Sequence, residues 1–217
     1  MLTLSFPNDK DECHVLCLGA HCDDIEIGCG ATLLKLAQTI PSLVVTWVVF
    51  SSNEVRAAEV RKSIAEFLGN RVRHDLIIFD HRNGFFPYDG AKIKDRFEDL
   101  KAKVQPDIIF THYIRDYHQD HRLVSELTWS TFRDHLIFEY EIPKYDGGIN
   151  SPSVFMPVDQ NHVQRKSEIL MSCFESQRHR SWFTKSTFDG LMRLRGIECN
   201  SKSGYAEAYY ARKLVLG

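Results

Sequence analysis

Three observations predict an α/β fold, a single Rossmann-like three-layer domain with a mostly parallel sheet. Short apolar runs alternate with amphipathic stretches at helical spacing. The apolar runs are continuous, as in strands covered by helices on both faces. No repeat or Pro/Gly/Ser-rich linker divides the 217 residues, so the chain is expected to be one domain over 1–217, long enough to bury a full core.

Taken in order, 14–20 (HVLCLGA) reads as a buried strand, followed after a loop by a helix from about 30 to 39. Residues 43–50 (LVVTWVVF) form a β-branched, aromatic run suited to a central strand. A helix over 54–68 leads to a strand at 75–79. A helix over 93–104, stopped by Pro106, leads to a strand at 107–112. A helix over 121–134 and a strand at 136–142 complete the regular alternation. Beyond about 150 the pattern weakens, with helices near 160–174 and 188–195 and a tail, 205–216, that fits strand or helix. Ligands of open α/β sheets bind outside the carboxyl ends of the strands, so the loops there are where chemistry is expected.

Composition excludes several classes. With 27 Lys and Arg against 29 Asp and Glu, the net charge of −2 offers no basic footprint for nucleic acid and no polybasic segment for a membrane surface. The first residues lack a secretion signal, and no apolar stretch reaches the 18 or so residues of a membrane helix. The six cysteines form no CxxC pair, as expected of reduced thiols in a cytoplasmic protein.

Two loops stand out. After the first strand come Ala20-His21-Cys22-Asp23-Asp24-Ile25-Glu26, three carboxylates and a histidine where a turn needs one Asp or Asn and a Gly. After the fourth strand come Asp116-Tyr117-His118-Gln119-Asp120-His121. Each loop alone also fits a helix cap or a solvated polar turn. If the two strands are neighbours, both clusters converge on one crevice, and two histidines with a carboxylate suit a catalytic zinc or a non-haem Fe(II) with open positions. Cys22 is a conceivable thiolate ligand but is expected to face away, since adjacent residues seldom aim at one ion.

These clusters resemble the signature of the PIG-L/LmbE-like family of metal-dependent N-acetylglucosaminyl deacetylases. That family's first motif, A-H-P-D-D-x-E-x-G-x-G-G, compares with A-H-C-D-D-I-E-I-G-C-G-A at 20–31, and its second, D-x-H-x-D-H, is intact at 116–121. Arg56-Ala57-Ala58-Glu59, Ser176-Gln177 and Gly204-Tyr205-Ala206-Glu207 are weaker echoes. Cys22 stands in place of the usual proline and Ala31 in place of the second glycine. The resemblance implies His21, Asp24 and His121 as metal ligands, zinc as cofactor (with Fe2+ or another divalent ion as alternatives), and Asp23 as general base. It implies His118 as the group that stabilises the oxyanion or protonates the leaving amine. Glu26, Asp116 and Asp120 would support them, with Asp116 or Asp120 orienting the His118 ring.

Other strand ends offer contacts to a small N-acetylamino-sugar substrate: Asn53 and Arg56 after the second strand, and Arg82 and Asn83 after the third. At its i,i+3 spacing Arg56 fits an ion pair with Glu59 equally well. Residues 141–145 could close the site, with Gly147-Gly148 as hinge, while His81 and His112 stay undecided at its rim. The expected function is removal of an acetyl group from an N-acetylated amino sugar or conjugate. The alternatives are a related amidase on a non-sugar or thiol-conjugate amide, and a non-catalytic nucleotide-binding module. Against the last, Leu33 stands where G-x-G-x-x-G needs its third glycine. Relatives of this kind often assemble, which leaves a homo-oligomer open.

Overall fold

Strand β1 (Cys13–Gly19) is buried along nearly its whole length because it lies in the middle of the sheet. In the computed structural model, which describes Thr3 and residues 12–215, the elements that follow are α1 (Asp24–Thr39), β2 (Leu43–Val49), α2 (Glu54–Phe67), β3 (Arg73–Ile78), α3 (Gly90–Lys103), β4 (Ile108–His112) and α4 (Gln119–Thr131). The chain continues through β5 (Leu136–Tyr140), β6 (Val154–Pro157), α5 (Gln160–Cys173), α6 (Lys185–Glu198) and β7 (Ala206–Tyr210). Most of the segment read for a secretion signal, and Leu216 of the predicted tail, lie outside the described residues.

The described strands form one seven-stranded sheet in the order β3-β2-β1-β4-β5-β7-β6, parallel except where β7 pairs with β5 and β6. The tail therefore resolves as a strand. Sequence reading missed β6, whose four residues end in Pro157 at the sheet edge, where a missing N–H costs nothing. Alternate residues of β1 feed two cores. Val15 and Cys17 pack with residues of α1, α2 and α5 on one face, and Leu16 and Leu18 with Phe97 of α3 and Val124 of α4 on the other.

The order in which strands are added reverses between β1 and β4: β2 and β3 extend the sheet one way, β4 and β5 the other. The register aligns Cys17 with Phe110, so the loops after β1 and β4 leave the sheet side by side. This is the switch point at which open α/β sheets bind ligands.

The first helix begins six residues earlier than expected, at Asp24 instead of Gly30, and its interior kink accounts for the misreading. Cys29 has non-helical angles (φ −141°, ψ 17°). The orphaned N–H groups beyond the kink are satisfied by Glu207, whose carboxylate accepts from Ala31 at 3.0 Å and Thr32 at 2.6 Å. Lys166 donates to Glu207 and to the Ile27 carbonyl, both at 2.6 Å. The donors beyond the kink, next to the Gly28-Cys29-Gly30 segment, therefore already hold a carboxylate. Gly28 sits against the Tyr140 ring, and a Cβ there would lie 2.2 Å from Tyr140 Cδ2. Gly28→Ala is accordingly expected to lower the unfolding free energy by about 3 kcal/mol, the upper end of ordinary overpacking, measurable by urea denaturation. An unchanged midpoint would mean that the ring moves freely.

Candidate metal and catalytic site

The first loop folds back on itself: His21 N–H donates to Asp24 Oδ2 at 2.7 Å, which turns the Asp24 carboxylate toward the ring of His21. Asp24 and Glu26 lie in the first turn of α1, where the helix dipole favours negative charge. Across the switch point, α4 starts at Gln119 with His118 as its N-cap, and its first turn carries Asp120 and His121 inward.

Donor atoms of three residues converge. His21 Nδ1 is 3.2 Å from His121 Nε2 and 3.4 Å from Asp24 Oδ2, and His121 Nε2 is 3.6 Å from Asp24 Oδ1. A tetrahedral zinc with bonds of about 2.1 Å spaces its ligands roughly 3.4 Å apart, which is the spacing of the two nitrogens from each other and of each from one Asp24 oxygen. Two groups of donors, each with its atoms within 4.8 Å of one another, overlap this set: His21 with His118 and His121, and Asp24 with His112 and His121. The surroundings favour a cation. Burial alone would lower the His21 pKa, but hydrogen bonds to Asp120 and Asp24 outweigh it and push it up to about 10.

Further residues hold this arrangement. His121 Nδ1 donates to Asp116 Oδ2 at 2.9 Å, leaving Nε2 as the lone-pair atom. Asp120, fully buried, accepts from Gly84 N–H at 2.6 Å and Phe86 N–H at 3.2 Å and meets His21 Nε2 at 3.1 Å, so it joins a candidate ligand to the loop after β3. The expectation that Asp116 or Asp120 orients the His118 ring through a carboxylate is corrected. Asp116 Oδ1 instead accepts from the His118 backbone at 2.7 Å, and His118 Nδ1 accepts from the Asp120 backbone at 3.2 Å. Accepting at Nδ1 selects the neutral tautomer with its proton on Nε2.

Asp23 is buried, and burial raises its pKa to about 6 against the opposing charge of Arg56. Arg56 lines the cleft, but much of its hydrogen-bonding capacity is used within the protein. Its guanidinium is committed to Asp23 Oδ1 at 2.8 Å, to the Cys22 carbonyl and to Glu59 Oε2 at 3.3 Å. Glu59 in turn accepts from Ser176 N–H at 2.8 Å and Ser176 Oγ at 2.7 Å, tying together two of the weaker motif echoes. Asn53 caps α2, accepting from Arg56 N–H at 2.9 Å, so its side-chain oxygen is also taken. Arg82 and Asn83 are exposed beside the site, Arg82 stacked 3.4 Å above the Phe85 ring. Asn53, Arg56, Arg82, Asn83 and Gln177 share with His21 the lining of a cleft of about 350 Å³.

Glu26 is buried under the site with the Ser63 hydroxyl as partner, and burial pushes its pKa up to about 8. Cys22 does turn away, its thiol directed to Ser52 Oγ at 3.2 Å and the Ser51 carbonyl at 3.5 Å, with burial raising its pKa to about 12. Two residues escaped sequence reading. His112, placed at the rim, is fully buried, its Nε2 lying 2.9 Å from Ala20 N and 3.1 Å from Asp24 Oδ2. Its position as the last residue of β4, facing the first loop, was the available signal. Lys144 reaches Asp116 Oδ2 at 2.6 Å from the loop after β5, within the 141–145 segment expected to close the site, though nothing in that segment pointed to this contact.

A doubly wound sheet with His- and Asp-bearing loops meeting at its switch point defines the class of α/β proteins built around a candidate cation site. Residues 16–132 match the PIG-L family, described as GlcNAc-PI de-N-acetylase, and the chain belongs to that family. Among solved structures it is similar to a conserved protein from Thermus thermophilus (TM-score 0.70, 17% identity, 94% of this chain and 96% of that one). It is also similar to GalB, the 4-carboxy-2-hydroxymuconate hydratase of Pseudomonas putida (0.72, 17%, 94% and 98%). A third is N,N'-diacetylchitobiose deacetylase from Pyrococcus horikoshii (0.67, 19%, 94% and 85%). At these identities the likeness is one of fold, and a fold shared by a hydratase and a deacetylase does not choose the reaction. Among the described residues no helix is long and apolar enough to cross a membrane.

Proposed function

We propose that this chain is a zinc-dependent N-deacetylase that hydrolyses the acetamide of an N-acetylated amino sugar or sugar conjugate, with Fe2+ or another divalent ion as the alternative metal. The observation that carries this reading is the approach of His21, Asp24 and His121 to one another, His21 also lining the cleft, with Asp23 and His118 adjacent in the same two loops. Family membership supports the reaction class.

His21, Asp24 and His121 would hold the ion. When bound, it supplies Lewis acidity, lowering the pKa of water towards about 7 and polarising the acetamide carbonyl. Asp23, held by Arg56 through Oδ1, has its other oxygen free to take the proton of the attacking water. The same proton then passes from Asp23 to the amine nitrogen as the C–N bond breaks, giving acetate and a free amine. His118, neutral with its proton on Nε2, suits donation to the developing oxyanion better than protonation of the leaving group. Arg56 serves Asp23, and Asn53, Arg82 and Asn83 in the lining of the cleft suit the hydroxyls of a sugar ring.

The test is acetate release by zinc-loaded protein from N-acetylamino sugars, their nucleotide diphosphate forms and simple glycosides, with and without chelator. Release from at least one of them, lost with chelator, is expected. Release confined to non-sugar amides would transfer the activity to the alternative amidase reading.

A further inference from the structure

Asp116 is a buried carboxylate with three donors, and one of them is a cation. Oδ1 accepts from the His118 backbone at 2.7 Å, while Oδ2 accepts from both His121 Nδ1 at 2.9 Å and Lys144 Nζ at 2.6 Å. The Lys144 side chain is only 10% exposed, and its ammonium also donates to the Ile142 carbonyl at 3.3 Å. The lysine therefore competes with the imidazole of His121 for the same carboxylate oxygen.

We infer that Lys144 is a positioning residue that sets the metal affinity of the site through Asp116. The inference rests on the proposed role of His121 as a ligand. A carboxylate that accepts from the far nitrogen of a ligating imidazole raises the basicity of the near one. An ammonium on the same oxygen draws that electron density away, so Nε2 of His121 is a weaker donor than an unshared Asp–His pair would make it. The ammonium charge also repels a divalent ion from two hydrogen bonds away. Both effects act in one direction: Lys144 holds the ion less tightly and keeps it a stronger Lewis acid. Asp116 itself acts the other way.

Opposite signs make the test decisive. Zinc affinity of the purified chain is measured by competition with a chromophoric chelator for the parent, Lys144→Met, Lys144→Arg, Asp116→Asn and His121→Ala. Lys144→Met is expected to bind zinc about fivefold tighter, from loss of a unit charge at this range in a mostly solvent-like dielectric. Its kcat should fall with KM unchanged, and Lys144→Arg should restore both values. Asp116→Asn should bind about tenfold weaker. If Lys144 were only a peg for its loop, Lys144→Met would leave affinity unchanged or weaken it, and either result overturns the inference. So would a Lys144→Arg protein that behaves like Lys144→Met. An affinity that His121→Ala leaves intact would instead refute the ligand reading, whatever Lys144→Met does.

Discussion

His121→Ala should purify with less than about a tenth of the zinc retained by the parent chain, and acetate release should fall to the level of the chelated protein. Removing one of the three proposed ligands would leave two, too few to hold a catalytic ion against dilution and washing. His121 also carries more of the site than its own bond. Its Nδ1 anchors Asp116, and its ring stacks on His112 with centroids 3.9 Å apart, so alanine opens a void between two further site residues. His21→Ala should behave alike, because Nδ1 of that ring is within 3.4 Å of both other donors. The pair of overlapping donor groups makes a further comparison informative. His112 already has Ala20 N–H on its Nε2, so His112→Ala should retain measurable zinc where His21→Ala does not. Elemental analysis of the three proteins, with exposed His179→Ala as control, decides it. Full zinc in His21→Ala with loss in His112→Ala would move the ion to the Asp24, His112 and His121 group.

The parts of this site that were legible in the sequence are the ones governed by local chemistry. An apolar strand followed by three carboxylates, or an aspartate bracketed by histidines, is visible without knowing where the chain goes. What brings the two loops together is the pairing of β1 with β4 across a gap of more than ninety residues, which only the rule that sequential βαβ units wind outward from a switch point could suggest. Arg56 shows the limit of spacing arguments. Its ion pair with Glu59 was foreseeable at i,i+3, whereas its bond to Asp23 depends on β2 lying beside β1. Lys144 was invisible for the same reason: a lysine in a loop reads as solvated until β5 is placed next to β4 and its tail meets Asp116. The early start of α1 was missed because the kink at Cys29 separates its first turn from the regular helix, and Asp and Gly residues before it mark a turn in isolation. In the fold, Glu207 and Lys166, far along the chain, satisfy the groups exposed by its kink.

Asp23→Asn is expected to keep its zinc and lose about 10²- to 10⁴-fold in kcat, the range set by removal of a positioned general base. The two properties separate because Asp23 and Asp24, though adjacent, face different partners. Asp24 lies among His21, His112 and His121, whereas Asp23 Oδ1 is taken by Arg56, 2.8 Å away. Asparagine preserves size and can still accept from Arg56, so loss of turnover reports the missing base and not a collapsed loop. His118→Ala should also retain zinc, but its fall in kcat should be smaller, about 10²- to 10³-fold, as for removal of one oxyanion donor. The two differ in a diagnostic way. A neutral imidazole that only donates from Nε2 can be replaced in part by the amide of His118→Gln, whereas no neutral side chain replaces Asp23 as a base. Recovery of a measurable share of kcat in His118→Gln, with none in Asp23→Asn, would separate an oxyanion donor from a proton carrier. Equal failure of both would return general-acid duty to His118 and require its Nδ1 to leave the Asp120 backbone during turnover. Near-normal acetate release by Asp23→Asn would mean that another group accepts the water proton. Glu26 is then an unsuitable substitute, since it is buried against Ser63 and burial pushes its pKa up to about 8.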